Sequence, residues 1–153
     1  LGSYAGAMGY GQFISSSYRN YAVDFDGDGI RDIWNNPVDA IGSVANYLSR
    51  HGWQSGGLVT VPARLDREIA DGIFNVSLKP NQSVADLSTL GVLTDVLLED
   101  SFVVSPMKLE GKGGQEYWLG LNNFYVITRY NHSKLYAMAV FQLSERIKRS
   151  LST

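Results

Sequence analysis

The stretch DFDGDGIRD, residues 24–32, places a carboxylate at almost every second position around its glycines. Its aspartates fit the first, third, fifth and ninth positions of an EF-hand loop, and Gly29 stands sixth, where such a loop turns sharply. Carboxylates this close together repel one another unless a cation lies among them. The stretch therefore predicts a calcium site, with a solvated acidic turn as the alternative because Asp-Gly pairs are common in turns.

The twelfth position of the loop departs from the EF-hand pattern. That position normally holds a Glu that binds calcium through both carboxylate oxygens, whereas this chain has Asn35. Either a water completes the ligand shell or a later carboxylate does, and Asp39 is the nearest one. Both ways of closing the shell are open at this point.

Composition excludes several classes of protein. The chain has 153 residues, enough for one compact domain or one domain with a small inserted lobe. No apolar run approaches the roughly 18 residues of a membrane-spanning helix. The net charge of -2, with scattered basic residues, gives no nucleic-acid-binding surface, and the absence of cysteine excludes disulfides and zinc–thiolate sites. Nine tyrosines and three tryptophans would suit a carbohydrate groove or an ordinary core.

Helix signals flank the acidic loop. Residues 1–13 combine four glycines with apolar and aromatic side chains, which allows close approach of the backbone to a ligand or helix. Serines 15–17 predict the start of a short helix that leads to the loop. After the loop, Asn36 and Pro37 are typical of a helix start, and the apolar spacing predicts a helix over 37–50. One EF-hand-like unit results, without a second copy.

From Ser55 onward the pattern changes to short strands. The glycine-rich residues 110–114 predict a hairpin, and Ser83 predicts the cap of a short helix that ends at Gly91. A helical stripe then extends over residues 130–151, with Asn131 or Ser133 as its cap. Strands are expected over 58–61, 73–78, 102–109, 115–121 and 124–128.

These elements predict three parts. Residues 1–54 would form part of a helical core with the EF-hand-like loop, and residues 55–128 a small, mainly antiparallel β domain. Residues 129–153 would be a C-terminal helix that packs back on the helical part. The fold class expected from the residues is α+β.

Four motifs of the chain, taken together, resemble the membrane-bound lytic murein transglycosylase B family. They occur in the family's order and span nearly the whole chain. The resemblance implies a lysozyme-like, mainly helical core with one EF-hand calcium loop and a small β domain. The motifs are GSYAGAMGYGQF (2–13), DFDGDG (24–29), PVDAIGSVANY (37–47) and YWLGL (117–121) with NFYVITRYNHS (123–133).

The resemblance also implies an activity. Members of this family cleave the bond between N-acetylmuramic acid and N-acetylglucosamine in peptidoglycan without water, and leave a 1,6-anhydromuramic end. One glutamate acts first as acid and then as base, unlike the carboxylate pair of most glycosidases. That glutamate belongs to a Glu-Ser motif expected upstream of Leu1. No glutamate of this segment is therefore expected to be catalytic, and the segment alone is expected to be inactive.

Site residues follow from the resemblance position by position. The calcium ligands would be Asp24, Asp26, Asp28, the carbonyl of Ile30, and Asp39, and the calcium would be structural. Two departures bear on these matches: Ile14-Ser15 replaces the family's Met-Pro, and the segment 35–37 is one residue longer than usual. The expected substrate-binding residues are Ser3, Met8, Gln12, Phe13, Tyr47, Tyr130, Asn131 and Tyr136.

The expected partners are peptidoglycan glycan strands and the N-terminal remainder of the same protein, with no nucleic acid. The expected location is the bacterial periplasm. Anchoring to the outer membrane would require a lipid on the N-terminus of the longer protein to which this segment belongs. Two other functions are alternative interpretations of the sequence. One is a non-catalytic glycan-binding module; the other is a calcium-dependent interaction module of the dockerin type, which would require two tandem loops.

Overall fold

The computed structural model describes residues 3–4 and 6–152, and it has the expected α+β composition. The chain divides into two compact units, one ending at Trp53 and one beginning at Gln54. No helix of the described part is long and apolar enough to span a membrane. The elements are α1 (Ser15–Tyr21), α2 (Pro37–Arg50), β1 (Thr60–Leu65), a 3-10 turn (Asp71–Ile73), β2 (Gln82–Ser83), α3 (Val84–Leu90), β3 (Val92–Leu93), β4 (Val103–Gly111), β5 (Gly114–Gly120), α4 (Asn122–Tyr130) and α5 (Lys134–Leu151).

The first unit contains the glycine-rich opening, α1, the acidic loop and α2. The start of α2 is the predicted one, because the Asn36 side chain accepts hydrogen bonds from the backbone N–H of Val38 (3.0 Å) and Asp39 (3.4 Å). Gly52, with φ +93°, follows the helix in the left-handed conformation that favours glycine. The helix predicted over 37–50 is therefore confirmed.

The second unit contains one antiparallel sheet with the strand order β2-β4-β5-β1-β3. The predicted hairpin is confirmed, since β4 and β5 pair along their length and end on the pair Gly111 and Gly114. Helix α3 lies between Ser83, whose hydroxyl accepts from Asp86 N–H, and Gly91 with φ +97°. One side of the sheet covers the core cluster of Val61, Phe74, Leu87, Val92, Val104, Leu119 and Leu121.

Two predicted strands are wrong. Residues 124–128 lie in helix α4, although Val126, Ile127 and Thr128 are β-branched. The preference of these β-branched residues for strands is overridden, because Phe124, Ile127 and Thr128 are all buried and recur at helical spacing on one face. Residues 73–78 form no strand either.

A left-handed residue explains the missing strand at 73–78. Asn75 has φ +59°, which ends extended backbone, and its side chain forms two hydrogen bonds with the backbone of Lys108. The edge of the sheet is paired instead by β2, in register with Val103 and Val104. The strand predicted at 58–61 is displaced, because β1 runs over Thr60–Leu65.

The helical C-terminal stretch is interrupted once. Helix α4 ends at Tyr130, and α5 begins at Lys134 after the cap Ser133, whose hydroxyl accepts from Tyr136 N–H at 3.3 Å. The observed helix α5 therefore begins four residues after the start of the predicted helix over 130–151. Helix α5 belongs to the second unit and contacts α4. The three-part division of the chain stays a prediction.

Candidate functional site: an acidic loop and an aromatic group

The acidic loop brings three aspartates together. One carboxylate oxygen from each of Asp24, Asp26 and Asp28 lies within 4.8 Å of the other two. Gly27 and Gly29 make the loop's turns with φ of +80° and +90°. The local sequence explains the arrangement, because alternating aspartates project inward only where glycines reverse the backbone.

Backbone hydrogen bonds orient these carboxylates. Asp24 accepts from the N–H of Gly27 (2.7 Å), Asp28 (3.1 Å) and Gly29 (2.8 Å). Asp28 accepts from the N–H of Ile30 at 2.8 Å. The loop is thus closed around its own first aspartate, which fixes where the oxygens of its neighbours lie.

The three oxygens fit a calcium ion. Two ligands that each lie about 2.4 Å from one calcium ion are separated by at most about 4.8 Å. The spacing observed for Asp24, Asp26 and Asp28 is compatible with that limit. The donors are also all oxygens, which suits a hard cation such as calcium rather than a soft metal.

Asp39 is not one of the three grouped carboxylates. It is completely buried, and its two oxygens accept from the backbone N–H of Phe25 (2.7 Å) and Asp32 (2.8 Å). These bonds tie the start of α2 to both ends of the acidic loop. Its role as a calcium ligand stays a prediction, whereas its role in holding the loop is visible in the structure.

The exit of the loop is held by two further polar residues. Asp32 accepts from the N–H of Trp34 (2.8 Å) and Asn35 (2.9 Å), and its Oδ2 accepts from the amide of Asn35 (3.2 Å). The hydrogen bonds from Asn35 and Trp34 lower the pKa of Asp32 below its usual value. The side-chain nitrogen of Asn36 donates to Asp26 at 2.8 Å, and its side-chain oxygen caps α2. Asn36 therefore connects the loop to the helix.

An aromatic group forms near α1 and α2. The ring of Tyr47 stacks on His51 at 4.0 Å with an interplanar angle of 19°, and meets the ring of Tyr21 edge-on at 4.8 Å. Phe13 is buried, and its ring centroid lies 6.1 Å from that of Tyr47. The structure therefore brings together two of the expected substrate-binding residues, Phe13 and Tyr47.

Two residues of this group, Tyr21 and His51, are absent from the expected site set. The Nδ1 atom of His51 lies 2.7 Å from the carbonyl of Tyr47, one helical turn earlier. The i, i+4 spacing of Tyr47 and His51 near the end of α2 was the sequence signal that could have identified the stacked pair.

The glycine-rich opening lies beside the aromatic group. Met8 and Phe13 exchange backbone hydrogen bonds at 2.8 and 2.9 Å and form a short bridge. Within it, Gln12 is exposed, has φ +50°, and donates from its side chain to the carbonyl of Gly9. Ser3 is exposed and its hydroxyl accepts from Ala7 N–H. Leu1, Gly2 and Ala5 lie outside the described residues.

The late motif occupies the junction of α4 and α5. Tyr130 is the last residue of α4 and is half-buried, while Asn131 accepts from Ser133 N–H at 3.0 Å. Tyr136 lies in the first turn of α5 and is 38% exposed. These residues lie in the second unit, and their part in substrate binding stays a prediction.

All five glutamates of the chain also lie in the second unit. Four of them are exposed and Glu145 is half-buried. None lies in the unit that contains the acidic loop and the Phe13–Tyr47 pair. The glutamates of the chain are Glu68, Glu99, Glu110, Glu116 and Glu145.

Comparison with known proteins adds the family context. The sequence profile of the family described as "Transglycosylase SLT domain" matches residues 1–145. The chain is 50% identical, over 146 residues, to "Membrane-bound lytic murein transglycosylase B" from Escherichia coli (strain K12). That match covers 95% of this chain and 39% of the relative.

Solved structures show the same fold over the chain. A soluble lytic transglycosylase from Pseudomonas aeruginosa has a TM-score of 0.93 and 50% identity, over 100% of this chain and 50% of that protein. An Escherichia coli lytic transglycosylase solved in complex with calcium has a TM-score of 0.87 and 46% identity, over 99% of this chain and 47% of that protein. The chain thus spans half or less of the length of these proteins.

Proposed function

Because the chain belongs to the family of transglycosylase SLT domains, we propose that it is the C-terminal part of a peptidoglycan lytic transglycosylase. The supporting observation is the family match over residues 1–145, with 50% identity to a lytic murein transglycosylase. The proposed reaction is non-hydrolytic cleavage of the MurNAc–GlcNAc bond, which gives 1,6-anhydromuramic ends. The proposed site of action is the bacterial periplasm.

Within this function, the first unit contributes one wall of a saccharide groove. Met8 and Tyr47 are half-buried and supply apolar contacts for sugar rings, since aromatic faces pack well against apolar sugar faces. The buried Phe13, 6.1 Å from Tyr47 between ring centroids, supports this wall from within the unit. Ser3 and Gln12 are exposed and offer hydrogen bonds to sugar hydroxyl and acetamido groups. Tyr130, Asn131 and Tyr136 are proposed to contact the same polymer.

The chemical step needs a general acid within hydrogen-bond reach of the glycosidic oxygen. We assign that role to a glutamate upstream of Leu1. All five glutamates of this chain lie in the sheet-containing unit, whereas the Phe13–Tyr47 pair lies in the other unit. The N-terminal remainder of the protein is therefore a proposed partner in catalysis.

The acidic loop is proposed to be an EF-hand-like structural calcium site. Asp24, Asp26, Asp28 and the carbonyl of Ile30 would hold the ion, and one of Asp39 or Asn35 would complete the shell directly or through water. Spacing of the three carboxylates supports the proposal, as does the calcium in a relative that is 46% identical. Bound calcium would offset most of the loop's negative charge and fix α2 relative to α1.

Digestion of purified peptidoglycan tests the proposed function. The chain alone should bind glycan strands and release no anhydromuropeptides, whereas addition of the upstream segment should restore release. Gln12→Ala and Tyr47→Ala should weaken binding of the strands, with the exposed Lys112→Ala, on the β4–β5 turn, as the control. Anhydro products from the lone chain would place the acid among its own carboxylates and contradict the assignment.

The glycan-binding alternative makes a different prediction in the same assay. A module that kept the groove and lost the acid would bind strands but stay inactive after the upstream segment is supplied. A Glu-Ser motif encoded upstream of Leu1 favours the enzyme over this alternative.

A further inference from the structure

A cleft in the second unit lies between α5 and the side of the sheet opposite the core cluster. Val61 and Leu119 belong to the core, so their neighbours Pro62 and Trp118 project from the other side of the sheet. Pro62 and Trp118 are also directly paired across β1 and β5. With one side of α5 they border an open cleft of about 480 Å³.

The helical wall of this cleft is positively charged. Phe141, Gln142, Glu145, Arg146 and Arg149 line it, at the spacing of one side of a helix. The lining therefore carries two guanidinium groups against one carboxylate. Arg149 donates to the backbone carbonyl of Glu145 at 3.3 Å. No salt bridge among the described residues involves Arg146.

The opposite wall offers a fixed aromatic surface. The indole N–H of Trp118 donates to Glu116 at 3.2 Å, which restrains the ring. Trp118 and Pro62 also border an open depression along the same strands, which Arg64 and Glu116 line as well, so the surface continues beyond the cleft. A ligand could thus lie along β1 and β5 with one end beside Arg146.

We propose that this cleft binds an acidic peptide, namely the stem peptide of peptidoglycan, through a carboxylate held by Arg146 and Arg149. The identification of the peptide rests on the proposed function, but the recognition chemistry comes from the cleft. A guanidinium group can donate two parallel hydrogen bonds to the two oxygens of a carboxylate, whereas an uncharged sugar has no anionic group to pair with it. The Trp118 and Pro62 surface would contact the small apolar side chains of such a peptide.

Binding of three probes to the folded chain tests the proposal. They are the acidic stem peptide freed from its sugar, the same peptide with amidated carboxylates, and an uncharged N-acetylglucosamine oligomer. Saturable binding is expected for the first probe, and binding about tenfold weaker or worse for the second. In NMR spectra the indole signal of Trp118 should move, while those of Trp34 and Trp53, in the other unit, should not.

Variants of α5 separate this site from general charge effects. Arg146→Gln should weaken binding of the acidic peptide about tenfold, whereas Lys148→Gln removes the same charge outside the cleft lining and should change it less than about twofold. Arg146 is exposed, so its replacement should leave the circular dichroism spectrum unchanged. Arg146→Lys should retain part of the affinity.

Several results would overturn the proposal: no saturable binding of the acidic peptide, equal binding of its amidated form, or equal effects of Arg146→Gln and Lys148→Gln. Failure of the peptide site and failure of the proposed function are distinguishable. Cleavage of peptide-free glycan strands by the complete, unmodified enzyme tests the lytic function separately from the peptide site. Absence of that cleavage in the unmodified enzyme would contradict the lytic function while leaving peptide binding intact.

Discussion

Replacement of Asp39 by Asn tests whether this residue holds the acidic loop even without metal. Asp39 is completely buried, and its two oxygens accept from Phe25 N–H at 2.7 Å and Asp32 N–H at 2.8 Å. Asparagine keeps one acceptor but turns an amide N–H group toward the other backbone N–H. One hydrogen bond to a charged acceptor, worth about 1.5–3 kcal/mol, is then lost, and the remaining bond loses its charge.

We therefore expect Asp39→Asn to lower the free energy of unfolding of the first unit by about 2–4 kcal/mol in the presence of a calcium chelator. The measurement is urea unfolding followed by circular dichroism. The control is Asp28→Asn, an exposed member of the same loop, which should not lower stability in chelator, because the change removes one charge from the carboxylate cluster. Unchanged stability of Asp39→Asn in chelator, with only the calcium response reduced, would refute the hydrogen-bonding role.

Three further predictions concern stability, measured by thermal or urea unfolding. Calcium at about a hundred times its Kd should stabilise the chain by roughly 2.7 kcal/mol, and magnesium much less; an unchanged melting curve would contradict the calcium site. Leu87→Ala should cost about 2–5 kcal/mol because Leu87 is fully buried, unlike the half-exposed control Leu90. Gly42→Ala should cost about 1–3 kcal/mol because a Cβ there would lie 2.5 Å from the Phe25 ring, whereas Gly72→Ala meets nothing within 4 Å; equal costs for the two would refute the close-packing argument.

The elements predicted correctly are those with local signals. Helix α2 has its cap, its proline and its terminal glycine within the segment itself, and the β4–β5 hairpin has a glycine-rich turn between matched strands. The error at 124–128 has a physical cause. The preference of β-branched residues for strands is weak, and burial of Phe124 against the sheet outweighs it: a Cβ on Gly120 would lie 3.2 Å from that ring.

The same distinction applies to the candidate site. The three grouped aspartates lie within five consecutive residues, so the sequence alone could place them together. The partners of Asp39 could not be predicted, because they are backbone N–H groups at positions 25 and 32 that approach it only after the loop has folded. The stacking of Tyr47 on His51 likewise depends on side-chain geometry at the end of α2.

The origin of the oxygen at the new muramic acid end is the most direct test of the proposed function. The complete enzyme that contains this chain should be incubated with glycan strands in water labelled with a heavy oxygen isotope, and the products analysed by mass spectrometry. We predict products one water lighter than hydrolysis products, without the label, because in the proposed reaction the muramoyl 6-hydroxyl attacks in place of water. Reducing ends that carry the heavy oxygen would show that the enzyme is a hydrolase and contradict the account.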